Sequence, residues 1–277
     1  MNITKNKKII DKILTAHELA LHGYCDFDML KDKLITCRAS LRLFDAFSPD
    51  LPKTIICVLF PYCFDKLQGN LSQYARVPDY HSSAGAVLEN AAKDLKSALP
   101  KYNFLSFIDN SPIPEVLAAA LSGLGCVGDN GLLINPIYGS WVFIGTIVTN
   151  IPFDMPPVSI AKCTQCGACS TACPGGCIGK SRDTCVSRIS QNKGELSQDQ
   201  IALLQKSGMA WGCDRCQHIC PLNANALINP HPCFGDKPFN PDLTDESLND
   251  LKGKAYGWRG VGVLKRNISF LGRNKGE

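Results

Sequence analysis

Hydrophobic residues recur with helical spacing in three parts of the N-terminal half. Residues 8–21 place isoleucine and leucine three or four positions apart, which predicts an amphipathic first helix. Residues 82–98 show the same spacing and stop before Pro100, so a second helix is expected there. Pro114 suits the first turn of a third helix over VLAAAL, which Gly123 would end.

Runs of branched apolar residues predict strands between these helices. Residues 54–60 (TIICVLF) end at Pro61 and have the composition of a buried strand, and residues 104–108 resemble another. Residues 131–134 and 141–148 are expected to pair with each other around the turn residues that separate them. Together these features predict one α/β (α+β) domain in the first 155 residues.

Prolines at positions 152, 156 and 157 mark a domain boundary, after which the density of cysteines rises. We therefore predict an α/β domain over residues 1–157 and a cysteine-rich domain over residues 158–232. Residues 233–277 begin with loops that contain proline and asparagine and continue to a basic end with Lys265 and Arg266, so a short C-terminal tail is expected there.

Fifteen cysteines in 277 residues call for an explanation. A disulfide framework is typical of small secreted chains, but the first ten residues (MNITKNKKII) lack the apolar segment and cleavage site of an export signal. The longest apolar stretches, such as residues 141–148, are too short to cross a bilayer. We therefore expect a cytoplasmic protein without a membrane partner, whose clustered cysteines bind metal. The net charge of +4 permits an anionic partner such as RNA without requiring one.

The cysteines of residues 163–174 follow the pattern Cys-x2-Cys-x2-Cys-x3-Cys-Pro, and residues 213–221 repeat its second half. This is the pattern of bacterial ferredoxins, in which three thiolates of a run bind one 4Fe-4S cluster and the fourth binds the other. The rule assigns one cluster to Cys163, Cys166, Cys169 and Cys220, and the other to Cys173, Cys213, Cys216 and an eighth thiolate.

Cys177 and Cys185 are the candidates for the eighth thiolate. Cys185 is preferred because Cys177 lies only four residues after Cys173, in a glycine-rich turn. Zinc ribbons also use Cys-x2-Cys pairs, but they need two such pairs rather than this longer pattern. The remaining cysteines have no ligand spacing and are expected to be small buried hydrophobic residues: Cys25, Cys37, Cys57, Cys63, Cys126 and Cys233.

Two clusters can pass single electrons, and a simple ferredoxin would not need the preceding 155 residues. The N-terminal half is therefore expected to receive the electrons. It contains no dinucleotide-binding fingerprint after a strand, no phosphate-binding loop with its lysine and no zinc-protease motif, so nicotinamide, nucleotide and zinc-protease chemistry lack support.

Several ordered segments of the sequence carry a resemblance to a known family. They are YARVPDYH (74–81), DNSPIPE (109–115), GLGCVGDNGLLI (123–134), YGSWVFIG (138–145), CVSRIS (185–190) and WGCDRCQHICPLN (211–223). These segments resemble the epoxyqueuosine reductase family, which is similar to reductive dehalogenases in pairing a corrinoid with two cubane clusters. The resemblance covers roughly residues 50–225, and CVSRIS supports Cys185 as the eighth ligand.

The resemblance implies that the first domain binds cobalamin and that a ferredoxin-like double 4Fe-4S domain follows it. Family members remove the epoxide oxygen of epoxyqueuosine in the anticodon loop of tRNA. An external low-potential electron donor is then required, and no DNA partner is expected. The sequence has no DxHxxG pattern, which agrees with a corrinoid whose cobalt lacks a protein imidazole ligand.

The resemblance also implies roles for individual residues. Asp109 takes the place of the proton-donating aspartate, with a helix cap before residues 115–121 as the alternative. Asp79, Tyr80 and His81 are expected to line the corrinoid or substrate pocket, although a single histidine often has only a structural role. Ser140 follows Gly139 in a turn that would let the backbone approach the corrinoid, and simple turn formation is the alternative.

Three features depart from the family pattern. Family members commonly have lysine where this chain has Asp129, and a small residue where it has Cys177. They also continue beyond the second cluster into helical repeats that help to grip tRNA, whereas this sequence stops at Glu277. Three hypotheses therefore stand: a reductase of tRNA or of another oxygenated or halogenated molecule, an electron-transfer protein without a corrinoid, and a helper that reduces the corrinoid of another enzyme.

Overall fold

The computed structural model describes residues 3–155 and 159–272. In chain order, the helices and strands are α1 (Ile3–Ala16), β1 (His22–Asp26), α2 (Ser40–Phe47), β2 (Thr54–Pro61), α3 (Ser83–Ala98), β3 (Phe104–Ile108), α4 (Glu115–Leu121), β4 (Cys126–Val127), β5 (Leu133–Ile134), β6 (Val142–Thr149), α5 (Ala168–Ala172), α6 (Val186–Ser190), α7 (Gln198–Ser207), α8 (Arg215–His218) and α9 (Val261–Gly272). Short 3-10 helices connect several of them. The predicted boundary at Pro156 and Pro157 lies outside the described residues.

The main sheet has four strands in the order β1-β2-β6-β3, and every neighbouring pair is antiparallel. Strand β2 lies inside the sheet, and all eight of its residues are buried. Alternate residues of a strand point to opposite faces, so burial of the whole strand requires a cover on both faces. An antiparallel sheet covered by helices is an α+β arrangement, which agrees with the predicted α/β (α+β) fold class.

Helices cover both faces of the sheet. Ile56, Val58 and Phe60 of β2 pack with residues of α1 and α3 in one apolar cluster. The intervening Ile55, Cys57 and Leu59 pack with residues of α2 and α4 in a second cluster. Residues 55–60 of this run are therefore all apolar, because each of the two faces of the strand has its own core.

The predicted helix over residues 82–98 and the predicted strand over residues 104–108 agree closely with α3 and β3. The first helix ends earlier than predicted, because Glu18 has a left-handed backbone (φ 63°) and the chain then turns into β1. The expected pairing of residues 131–134 with residues 141–148 is wrong. Strand β5 pairs with β4, whereas β6 pairs with β2 and β3.

Residues 233–272 pack onto the rest of the chain. Leu243, Tyr256 and Leu264 share an apolar cluster with Leu71 and with the fully buried Trp211. The segment expected to be a short tail thus contacts both of the preceding segments through one core, while the division into three units stays a prediction. Among the described residues, no helix is long and apolar enough to cross a membrane.

Candidate active site

A cavity of about 940 Å³ lies between the four-stranded sheet and the cysteine-rich segment. The first part of the chain contributes its aromatic wall, and the cysteine-rich segment contributes thiols to the opposite wall. The aromatic lining residues are Tyr62, Tyr74, Tyr80 and Phe143, and the lining cysteines are Cys177, Cys185, Cys213 and Cys216. The size is in the range of small-molecule and cofactor sites.

A separate small cleft is lined by Cys163, Cys166, Cys169 and Cys220, the four thiols that the ferredoxin pattern assigns to one cluster. The Cys163 backbone N–H donates to the carbonyl of Val127, which fixes the start of the cysteine run to β4. Gly167 precedes α5 with a φ of +75°, so the turn between the second and third cysteines uses a backbone that glycine adopts readily. Helices α5 and α8 are in contact, and their contact brings Cys220 to the first run.

The other predicted ligands lie together on the cavity side. Cys185, Cys213 and Cys216 line the cavity, and Cys173 interacts electrostatically with Cys213. Cys177 lies in the same group, with its Sγ 3.5 Å from Sγ of Cys173. Five thiols therefore surround the second site.

Among residues 3–155 and 159–272, no group of three or more His, Cys, Asp or Glu side chains converges on a point that could hold one metal ion. The thiols line two open clefts instead. A 4Fe-4S cube binds each thiolate through a different iron, so its ligands surround a space rather than converge on a point. The grouping of the thiols fits two such cubes.

Asp109 lies at the end of β3 with a left-handed backbone (φ 54°). Its Oδ2 is 2.9 Å from Nε2 of His81, and it also accepts a hydrogen bond from the Tyr80 hydroxyl. The hydrogen bond from His81 holds the pKa of Asp109 below its usual value although burial opposes this effect. The same bond raises the pKa of His81, with help from Asp79, whose Oδ1 is 2.7 Å from Nδ1 of His81. The pair is therefore an ion pair with its proton on the imidazole.

Asp109 does not cap helix α4. Pro114 occupies the N-cap position and makes no side-chain capping hydrogen bond, so the alternative of a helix cap is wrong. The carboxyl group of Glu115, in the first turn of α4, interacts electrostatically with Asp109. Burial raises the pKa of Glu115 well above its usual value, which favours a neutral carboxyl group beside Asp109.

Tyr80 connects Asp109 to the cavity. Its ring stacks on His81 on one side and on Phe143 on the other, with ring centroids 4.1 Å apart in both pairs. Tyr80 and Phe143 line the cavity, whereas His81 and Asp109 lie behind Tyr80, with side chains 41% and 58% exposed. Of the predicted pocket residues, Tyr80 and Ser140 line the cavity directly.

Ser140 is buried in a hydrogen-bond network that joins the sheet domain to the second cysteine run. Its backbone N–H donates to Oδ1 of Asn223 (2.8 Å), and its hydroxyl donates to Oε1 of Gln217 (2.9 Å) and accepts from Asn223 (2.8 Å). Gly139 before it has a φ of +58°, and a Cβ there would lie 2.2 Å from Asn223 Oδ1. The turn therefore holds the Cys216–Cys220 segment against the cavity wall.

Basic residues at the cavity were missed by sequence reasoning. Lys180, Arg182, Arg188 and Arg259 line it, and the guanidinium of Arg259 lies 3.7 Å from the ring centroid of the exposed Trp258. Lys180, Arg182 and Arg188 lie close together in the sequence, next to the cysteine motif, and this concentration of charge could have identified these three residues. Asp129, which stands where the family commonly has a lysine, also lines the cavity.

Comparison with known proteins identifies relatives over most of the chain. Residues 162–223 match the 4Fe-4S double cluster binding domain, which confirms the predicted two-cluster domain. Epoxyqueuosine reductase from Listeria monocytogenes is 30% identical over 289 residues, covering 90% of this chain and 75% of the relative. The enzyme of that name from Lactococcus garvieae is 29% identical over 216 residues, and the match spans only 61% of that relative's length.

Solved structures share the fold. The structure of epoxyqueuosine reductase from Streptococcus thermophilus matches with a TM-score of 0.76 at 24% identity, covering 96% of this chain and 80% of the other. A crystal structure of epoxyqueuosine reductase with an epoxyqueuosine-modified tRNA-Tyr stem loop matches with a TM-score of 0.78 at 24% identity, covering 98% and 81%.

Proposed function

The chain belongs to the epoxyqueuosine reductase family, and on this basis we propose that it is a cobalamin-dependent iron–sulfur oxidoreductase that converts epoxyqueuosine in tRNA to queuosine. Removal of an epoxide oxygen as water consumes two electrons and two protons. The protein must therefore bring a source of electrons and a source of protons to one substrate pocket. The observation that carries the proposal is the cavity, which has cluster thiols on one wall and Tyr80, bound to Asp109, on another.

The aromatic wall supports cobalamin as the cofactor. The stacked rings of Tyr80 and Phe143 line the cavity with apolar ring edges that a macrocycle could contact, and Ser140 lies at the turn beside them. These three residues would contact the corrinoid. When bound, cobalamin supplies a strongly reducing metal centre for attack on an oxygenated carbon.

The two groups of thiols supply a route for electrons. Cys166 of the first group is exposed, whereas Cys213 and Cys216 of the second group line the cavity. Electrons from an external low-potential donor would enter at the first cluster and leave from the second. Each 4Fe-4S cluster transfers one electron at a time, so two transfers complete one turnover.

The His81–Asp109 pair supplies protons. Because the proton resides on His81, Asp109 alone is a weak candidate for the acid, and the pair acts as one unit. Nε2 of His81 first gives its proton to Oδ2 of Asp109, and the protonated Asp109 then delivers that proton to the departing oxygen by way of the Tyr80 hydroxyl, which lies at the cavity. His81 is recharged from solvent, to which its side chain is 41% exposed.

Basic residues support tRNA as the substrate. Lys180, Arg182, Arg188 and Arg259 line the cavity, where they would contact the phosphates around the modified nucleotide. The exposed ring of Trp258, next to Arg259, is suited to stacking on a base. Such contacts would position the RNA at the cavity, and a tRNA substrate agrees with a cytoplasmic location.

Turnover of an epoxyqueuosine-containing tRNA stem loop tests the proposal. Anaerobic protein that carries iron, sulfide and cobalamin is mixed with the stem loop and a low-potential chemical reductant, and the nucleosides are analysed by mass spectrometry. Formation of queuosine is expected. Protein that binds both clusters and cobalamin but forms no queuosine would be an electron-transfer protein or a corrinoid-reducing helper, and the proposal would be wrong.

A further inference from the structure

The second cluster site has one more thiol than a 4Fe-4S cube has irons. Cys173, Cys185, Cys213 and Cys216 account for the four irons, and Cys177 is a fifth thiol in the same group. We propose that Cys177 is a reserve ligand of the second cluster, which binds iron in place of Cys185 when Cys185 is lost or released. The inference depends on the assignment of two clusters and not on the reaction that they serve.

The position of Cys177 carries the proposal. Its side chain is buried (6% exposed) and lines the same cavity as Cys185, Cys213 and Cys216. Its Sγ is 3.5 Å from Sγ of Cys173, and it also interacts electrostatically with Cys185. A thiol that interacts with two ligands of one cluster can reach an iron of that cluster without a large movement of the chain.

The backbone allows this exchange. Two glycines separate Cys177 from the Cys173–Pro174 pair, and Gly176 has a φ of +57°, so the chain turns within this loop and brings Cys177 back beside Cys173. The hydroxyl of Thr184 donates to the carbonyl of Gly175 (2.8 Å), and a Cβ on Gly175 would lie 1.8 Å from the Thr184 carbonyl oxygen. The segments that carry Cys177 and Cys185 are therefore held side by side.

The exchange changes no oxidation state. The Cys177 thiol loses its proton to solvent as its sulfur binds iron, and the departing Cys185 thiolate takes up a proton. The spare thiol would keep the cluster that faces the cavity intact when substrate or oxidants reach it. Buried cysteines outside the two clefts, such as Cys57, have no comparable position.

Single and double variants test the proposal, with alanine rather than serine because a hydroxyl could itself bind iron. Iron and acid-labile sulfide are measured after anaerobic reconstitution, and the reduced clusters are examined by electron paramagnetic resonance. Cys177→Ala and Cys185→Ala should each keep about eight irons per chain, and the double variant should keep about four. Cys185→Ala should also show an altered resonance of its second cluster.

The double variant Cys37→Ala with Cys185→Ala is the matched control, because Cys37 lies on a loop outside both clefts. It should retain as much iron as Cys185→Ala alone. Loss of about four irons in Cys185→Ala would show that Cys177 does not replace it, and the same loss in Cys177→Ala would show that Cys177 is a resident ligand. Either result overturns the proposal, whereas wild-type protein without iron and sulfide would overturn the two-cluster assignment itself.

Discussion

Nε2 of His81 lies 2.9 Å from Oδ2 of Asp109, and the two side chains form an ion pair behind the aromatic wall of the cavity. Asp79 binds the other imidazole nitrogen at 2.7 Å, so both ring nitrogens face carboxylates. An imidazole between two carboxylates is stabilised in its protonated form. The pair can therefore hold a proton at neutral pH that neither a free histidine nor a free aspartate would hold as firmly.

Asp109→Asn should abolish turnover without loss of the clusters. The amide keeps the size of the side chain but cannot pass a proton to the substrate oxygen, so we expect a decrease in kcat of about 10²–10⁴-fold. Iron content, cobalamin binding and stem-loop affinity should stay at wild-type values. Normal turnover in the variant would exclude Asp109 from the mechanism.

His81→Gln should change the pH dependence as well as the rate. The pKa of His81 is raised, so the protonated pair is fully present below the ordinary histidine pKa and is lost as the pH rises through the raised value. Wild-type kcat/KM should therefore decrease as the pH becomes alkaline. In the variant this decrease should be absent, and the plateau value of kcat/KM should be lower than in the wild type. An alkaline decrease at an unchanged pH in both proteins would show that another group causes it.

Asn223→Ala should destabilise the contact between the sheet and the cysteine-rich segment. The substitution leaves the buried Ser140 N–H without its acceptor, which typically costs about 1–3 kcal/mol. We expect the thermal midpoint of the cluster-loaded protein to fall by roughly 2–4 °C per kcal/mol. Asn249→Ala, at an exposed position, is the control and should leave the midpoint unchanged. Equal midpoints for the two variants would contradict this account of the Ser140 network.

Arg182→Ala and Lys180→Ala should weaken binding of the tRNA stem loop in a salt-dependent way. Each phosphate contact removed should lower the slope of log affinity against log salt by about 1. Fluorescence anisotropy over a salt series measures this slope. Lys237→Ala, an exposed cation that does not line the cavity, should keep the wild-type slope. Identical slopes in all the variants would exclude these two cations as phosphate contacts.

Local patterns in the sequence predicted much of this molecule. Cys163, Cys166 and Cys169 lie within seven residues of the sequence, so they cannot be far apart in space. The structure brings these thiols to one cleft. Strand β3 was likewise predictable, because its apolar run is bounded by turn residues. The family resemblance is confirmed by the relatives of the chain.

Contacts between distant residues could not be predicted in this way. Pairing of β6 with both β2 and β3 depends on which strands compete for the centre of the sheet, and the local turn at Gly139 suggested a different partner. The hydrogen bond between Ser140 and Asn223 joins residues 83 positions apart, and no local pattern of the sequence indicates such a contact. The basic lining of the cavity is a similar case, because Arg259 joins residues 180–188 only in the folded chain.

The metal and cofactor content of anaerobically purified protein is the decisive measurement. We predict about eight iron atoms and eight acid-labile sulfides per chain, held by two groups of thiols. Added cobalamin should bind with a one-to-one spectroscopic titration, and Tyr80→Ala should weaken this binding without loss of iron. About one zinc ion per chain with no acid-labile sulfide and no cobalamin binding would contradict these predictions.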